Sequence, residues 1–155
     1  MRTVGCLPVA ALLLWMGMAA VPTTTTADDC VPKVEPAAER MFAALVQAMR
    51  KGDADGVANL TASGKDARLT LRLSGVKPGS YPKEQAIEVL KTAYFKTREI
   101  LSLTEDEGCT RGSESRPVRA YRMRVRSGGA EKDGTLTAVL QRGDAGWSLD
   151  ILSDS

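Results

Sequence analysis

The apolar positions of this chain fall into two kinds of spacing. Ala38, Met41, Phe42, Leu45 and Met49 recur at three- and four-residue steps, so the segment opened by Pro36 reads as an amphipathic helix with one buried face. Gly52 suits the left-handed residue that ends such a helix, and Asp53 suits the N-cap of a short second helix carrying Val57 and Leu60. The period then drops to two. Ala67, Leu69, Leu71 and Leu73 alternate with Arg68, Thr70 and Arg72, the pattern of a half-buried strand. Gly75, Pro78 and Gly79 interrupt the chain before Pro82 opens a third helix, whose stripe is Ile87, Leu90 and Tyr94, widened by Ala86 and Ala93 and flanked by Phe95.

From Ile100 onward the period stays at two. Strands are expected over residues 100–104, 118–126 and 135–142, with a last one presenting Trp147, Leu149 and Ile151 inward. Tyr121, Met123 and Val125 oppose Arg122, Arg124 and Arg126 across the pleat of the second of these. Residues 109–117 read as a polar loop, and Gly128-Gly129 and 143–146 as turns. Helix, helix, strand, helix and then consecutive strands predict an α+β fold: a curved antiparallel sheet of about four to five strands packed on two to three helices as a cone-shaped roll. A cone of this kind offers room for a pocket.

The first residues belong to a different class. Arg2 supplies a short positive start, and residues 7–21 are almost continuously apolar yet shorter than the roughly 20 residues of a spanning helix. This reads as a signal peptide over 1–27, cleaved after Ala27 or, alternatively, near Gly17 and Ala19, with an uncleaved anchor as the competing reading. Residues 28–35 then form a flexible linker and 36–155 the domain, so the protein is expected to be exported, periplasmic or extracellular, with no stable membrane insertion after cleavage. Cys6 leaves with the leader. Cys30 and Cys109 remain as an even pair, which in an oxidising compartment points to a disulfide, against the alternative of two unpaired thiols.

Charge selects no partner. The whole chain carries a formal +2, and a leader containing Arg2 and no acid takes one positive charge with it. Nucleic acid is not expected of so nearly neutral a domain. The chain has no histidine, which removes the commonest general base and metal ligand. With the cysteines paired, thiolate catalysis and a cysteine zinc site also fall away, and no glycine loop that would cradle a phosphate precedes a helix. Neither a cofactor nor a metal is expected.

The run Arg50-Lys51-Gly52-Asp53-Ala54 closing a first helix, Tyr81 before the third, Gln85 to Leu90 within it, Tyr94-Phe95 ending it and Trp147 to Ile151 in the final strand form an ordered set. Over residues 37–152 this order resembles the nuclear-transport-factor-like, or cystatin-like cone, superfamily, and within it a group of small exported bacterial domains of unassigned function. The sequence departs from that pattern at Pro82, where a serine cap is expected, and in the long 109–117 segment. The resemblance implies either an isomerase or dehydratase with an aspartate and tyrosines in its cone or an accessory subunit that dimerises through an apolar sheet face, against which the arginines argue, whereas the missing catalytic groups point to a non-catalytic binding domain.

Two candidate sites follow. Tyr94, Tyr121, Arg119 and Trp147 are candidates for lining a ligand pocket; Asp150 alternates with Leu149 and Ile151 and so should face away from it. Arg68, Arg72, Arg122, Arg124 and Arg126 are candidates for an anion-binding outer face, if their strands lie close. No catalytic set is assigned. The leading reading is an exported, non-catalytic binding or interaction domain for a small apolar ligand or an acidic partner.

Overall fold

In the computed structural model of the chain, which describes residues 30–31, 33–106 and 110–155, the first two helices form as their spacing dictates. α1 (Pro36–Lys51) has proline in its first turn, buries Ala38, Phe42, Leu45, Ala48 and Met49, and ends at Gly52 with φ 65°. A side chain in that left-handed conformation would be strained, so glycine is the residue that lets the chain turn directly into the next helix. Asp53 then caps α2 (Ala54–Ala58) by accepting the Gly56 N–H at 2.8 Å. α3 (Lys83–Val89) follows Pro82 and continues through a π-helical turn, Leu90–Phe95, that carries Leu90 and Tyr94 into the core.

Seven strands, rather than four to five, make up the sheet: β1 (Arg68–Arg72), β2 (Gly79–Pro82), β3 (Arg98–Glu105), β4 (Arg111–Ser113), β5 (Arg116–Ser127), β6 (Ala130–Gly143) and β7 (Gly146–Asp154). Their order is β2-β1-β7-β6-β5-β3, with β4 beside the start of β5. The two unexpected strands, β2 and β4, lie in segments read as a turn and a loop because glycine, proline and serine outweigh any alternation there. Nor is the sheet wholly antiparallel. β1 runs parallel to β7, with Thr70 opposite Ile151 and Arg72 opposite Ser153.

The long β5–β6 and β6–β7 ladders keep their inner positions in register, setting Arg119 opposite Ala138, Tyr121 opposite Leu136 and Leu140 opposite Leu149. A bulge at Asp150 then shifts the pairing so that Val139 faces Ile151 and Ala138 faces Leu152. One inserted residue reverses the alternation. The expectation that Ile151 faces inward is therefore corrected: Leu152 is fully buried in its place, and Ile151 lies on the outer face beside Val139. Phe42, Leu45, Met49, Leu69, Leu71, Leu90, Tyr94, Leu136, Leu140, Leu149 and Leu152 fill the space between helices and sheet. Each such side chain contributes roughly 1.5–3 kcal/mol by leaving water, which is what closes the helices onto the concave face.

The expected signal peptide lies outside the described residues. Of the segment before α1, Cys30 forms a bridge with Arg111, the Val31 N–H donates to the Thr110 carbonyl at 2.8 Å, and Glu35 accepts from Trp147 Nε1 at 3.1 Å. Cys109 also lies outside the described residues. Among those described, no helix is long and apolar enough to cross a membrane.

Candidate functional site

A groove of about 410 Å³ runs between α1 and the β3–β5 side of the sheet. Its apolar lining is Phe42, Ala43 and Val46 from successive turns of α1 and Leu103 from β3, and Gln47 and Arg50 line it further along α1. Helical spacing brings the α1 residues to one face, and the alternation of β3 turns Leu103 and Glu105 toward them. One end of the groove is polar, built from Glu39, Glu105, Arg119 and Tyr121.

Arg119 organises that end. It sits on an inner position of β5, and its side chain is only 9% exposed. A guanidinium withdrawn this far from water needs its donors engaged. Nη1 and Nη2 donate to the two oxygens of Glu39 at 2.8 and 2.7 Å, Nε and Nη2 donate to Thr110 Oγ1 at 3.1 and 2.8 Å, and Glu105 Oε1 lies 3.2 Å from Nε. The guanidinium also lies over the Phe42 ring, 4.3 Å from its centre. Its hydrogen bonds hold the Glu39 carboxyl below the usual carboxylate range. An incoming anion would have to displace Glu39, so Arg119 is not an open anion receptor.

Tyr121 lies beside this cluster, 3% exposed. Burial pushes its hydroxyl up, an effect the neighbouring Arg119 charge opposes and the Glu105 and Glu39 charges reinforce. The oxygen is closed to solvent and makes no well-aligned hydrogen bond among the described residues, with the Arg119 guanidinium beside it. A buried hydroxyl left unpaired costs about 1–3 kcal/mol.

The other two pocket candidates lie elsewhere. Tyr94 is fully buried in the core, its hydroxyl 3.7 Å from Met123 Sδ, and it does not line the groove. Burial raises its pKa, with the nearby Asp154 carboxylate adding to the effect. Asp154 in turn accepts from the Ser74 N–H at 2.6 Å and the Ser74 hydroxyl at 2.8 Å. Trp147 sits on β7, bonded to Glu35, with the Arg142 guanidinium 6.0 Å from its ring centre. Asp150 points away from the core side and pairs with Arg116 at 2.8 Å.

The arginine face is divided and neutralised. β7 and β6 separate β1 from β5, so Arg68 and Arg72 stand about 14 Å across the sheet from Arg122, Arg124 and Arg126. Arg122 pairs with Asp106, Arg124 with Asp133, and Arg126 with both Glu99 and Glu131. Three cations therefore face four carboxylates. The expected anion surface does not assemble.

Sequence reasoning missed Glu39, Glu105 and Thr110. Glu39 stands three residues before Phe42 and Glu105 two after Leu103, so each shares a face with an apolar neighbour. That parity was the available signal. Among the described residues no group of three or more metal-ligating side chains converges.

No family model matches the chain, and no curated protein matches its sequence. Solved structures do. A dehydratase-titled protein of the NTF2-like family from Streptomyces avermitilis is 16% identical, with 77% of this chain and 92% of that chain covered at a TM-score of 0.58. A domain of unknown function with a cystatin-like fold from Nostoc punctiforme is 18% identical, covering 85% and 78% at 0.56. A DUF4783 family protein from Bacteroides ovatus is 8% identical, covering 72% and 91% at 0.56. The chain has the NTF2-like, cystatin-like fold.

Proposed function

We propose that this protein is a non-catalytic binding domain whose site is the groove between α1 and the β3–β5 edge of the sheet. The observation that carries this reading is the buried Tyr121 hydroxyl, which makes no well-aligned hydrogen bond among the described residues, at one end of a groove whose lining includes Phe42, Ala43, Val46 and Leu103. A ligand that reaches it would satisfy a group that the fold leaves unsatisfied. Catalysis is disfavoured by the direction of the shifts. General acid–base chemistry at neutral pH wants a group that titrates near 7. The hydrogen bonds from Arg119 move Glu39 further down from that range, and burial moves Tyr121 further up from it. The dehydratase-titled neighbour shares the fold and lends no residue role to this chain.

Addition of small amphiphiles to the purified protein should shift the NMR signals of Val46, Leu103 and Tyr121 without chemical change in the added molecule. Turnover of any such compound that Tyr121→Phe abolishes would replace this reading with the enzymatic one.

A second reading, self-association through the outer face of the sheet, is favoured by one observation. Thr70, Ile151, Val139 and Val118 lie opposite one another across β1, β7, β6 and β5, an uncharged β-branched strip away from the arginine ladder. Sedimentation of wild type and Val139→Asp separates the two: a dimer that the variant converts to monomer supports it, and a wild-type monomer removes it.

The same proposal includes export and a Cys30–Cys109 disulfide. The pairing of Cys30 with Arg111, two residues after Cys109, supports the bridge by bringing the two cysteine-bearing segments side by side.

A further inference from the structure

We infer that the groove takes an extended peptide segment carrying a basic, an apolar and an acidic residue at every second position. The inference rests on the groove being a binding site and goes beyond it by naming the partner's chemistry. It starts from the order of charge along α1. Glu39, Ala43, Val46 and Arg50 follow one another at three- and four-residue steps on the face that lines the groove. Glu39 and Arg50 are separated by about 16 Å at the helical rise. The two ends differ in sign. At one, the half-exposed Glu39 and Glu105 stand in front of the single buried cation of Arg119. At the other, Arg50 is exposed and in no ion pair among the described residues. Phe42, Val46 and Leu103 lie between. An extended chain rises about 3.3 Å per residue, so charged residues placed two positions either side of an apolar one stand about 13 Å apart, and their side chains reach the rest.

The backbone of β3 is the independent observation, and it favours a peptide over other amphiphiles. β3 is the terminal strand of the sheet path, and no described strand pairs its far edge. The Asp106 N–H donates to the Ala120 carbonyl at 3.0 Å, and Ser102 to Glu105 pair with Arg124 to Tyr121 in that same register. Hydrogen-bonded pairs in an antiparallel ladder alternate, so they fall at 102, 104 and 106. Glu105 lies between them. Its N–H and C=O therefore point away from β5, and the residue is exposed at the mouth of the groove. A peptide laid antiparallel to β3, the more stable sense, sets its own N–H and C=O against those of Glu105. Its side chain opposite Glu105 meets that carboxylate and calls for a base. The residue two positions on falls opposite Leu103 and calls for an apolar side chain, and the next in the alternation runs toward Arg50 and calls for an acid.

Acetyl-Lys-Thr-Leu-Thr-Glu-amide, titrated into the purified protein at pH 7 and low ionic strength, tests the inference against two controls in which both charged positions are lysine or both are glutamate. NMR shifts of Val46, Leu103 and Tyr121 locate the binding. The mixed peptide is expected to bind at least about fivefold more tightly than either control. Arg50→Gln, an exposed change, should remove its advantage over the lysine control and keep its advantage over the glutamate control. N-methylation of its lysine, which removes the N–H that donates to the Glu105 carbonyl, should weaken it by about tenfold. Equal affinities of the three peptides, a preference untouched by Arg50→Gln, or an N-methylated form that binds as well as its parent each overturn the inference and leave the groove reading standing. Small amphiphiles that shift these residues where no peptide does have the same meaning. If neither peptides nor amphiphiles shift them, both readings fail.

Discussion

Replacing Glu39 with glutamine keeps the shape of the side chain and removes the charge opposite Arg119. Breaking a fully buried ion pair by removing one partner costs roughly 3–5 kcal/mol, because the remaining charge is left uncompensated. Here the cost is smaller. Glu39 is 47% exposed, the amide oxygen still accepts one hydrogen bond, and Thr110 and Glu105 continue to serve the guanidinium. A loss of about 2 kcal/mol is expected, or about 8 °C in Tm for a domain of this size. The pH dependence follows from the folded-state pKa of Glu39, which is depressed below its ordinary 4.5. Its contribution is fully present above the unfolded value and is lost as pH falls through the lower folded one. Urea unfolding of wild type and Glu39→Gln should therefore differ by a constant amount from pH 6 to 8 and converge progressively below pH 4.5. Coincident midpoints at pH 7 would refute the claim that Arg119 depends on Glu39. A gap that persists undiminished into acid would show that the variant acts through packing instead.

Tyr121→Phe should raise stability by about 1 kcal/mol in urea unfolding, because it removes a buried hydroxyl that has no partner among the described residues. The same variant should weaken binding of any groove ligand. Gly112→Ala should cost more than about 2 kcal/mol by the same assay, since φ is 94° there and an added Cβ would collide with the Arg116 carbonyl across the β4–β5 turn. Intact mass of the non-reduced protein should lie two hydrogens below that of the reduced form, and Cys30→Ser should abolish the difference and lower stability by up to about 4 kcal/mol.

Helix faces were legible because each follows from a local period. The stripe of α1, the Gly52 stop and the Asp53 cap are all contained within a few turns, and tertiary contacts had nothing to overrule. Strand faces were legible only between irregularities. From Val118 to Arg126 the alternation holds without a break, so the inward direction of Arg119 and Tyr121 could be read directly. In β7 it fails at Asp150, where a single inserted residue exchanges Ile151 for Leu152, and a period of two carries no warning of a bulge. β2 and the parallel pairing of β1 with β7 depend on segments distant in sequence, and the residues that make them, such as Gly79 and Ser80, would suit a loop equally well.

The arginines show why composition misled where parity did not. Arg116, Arg119, Arg122, Arg124 and Arg126 come from one strand and look like one feature. The pleat sorts them. The last three project outward, meet exposed acids from β6, β3 and the end of β3, and form pairs of the kind that contribute little to stability. Arg119 projects inward, where water cannot serve it, so the fold must supply partners from α1 and from residues 105 and 110. Those partners arrive with one more negative charge than the guanidinium needs. The result is a site in which Arg119 is withdrawn behind the half-exposed carboxylates of Glu39 and Glu105 while the exposed Arg50 lines the same groove, and no count of arginines along the chain could have indicated which of them faces outward there.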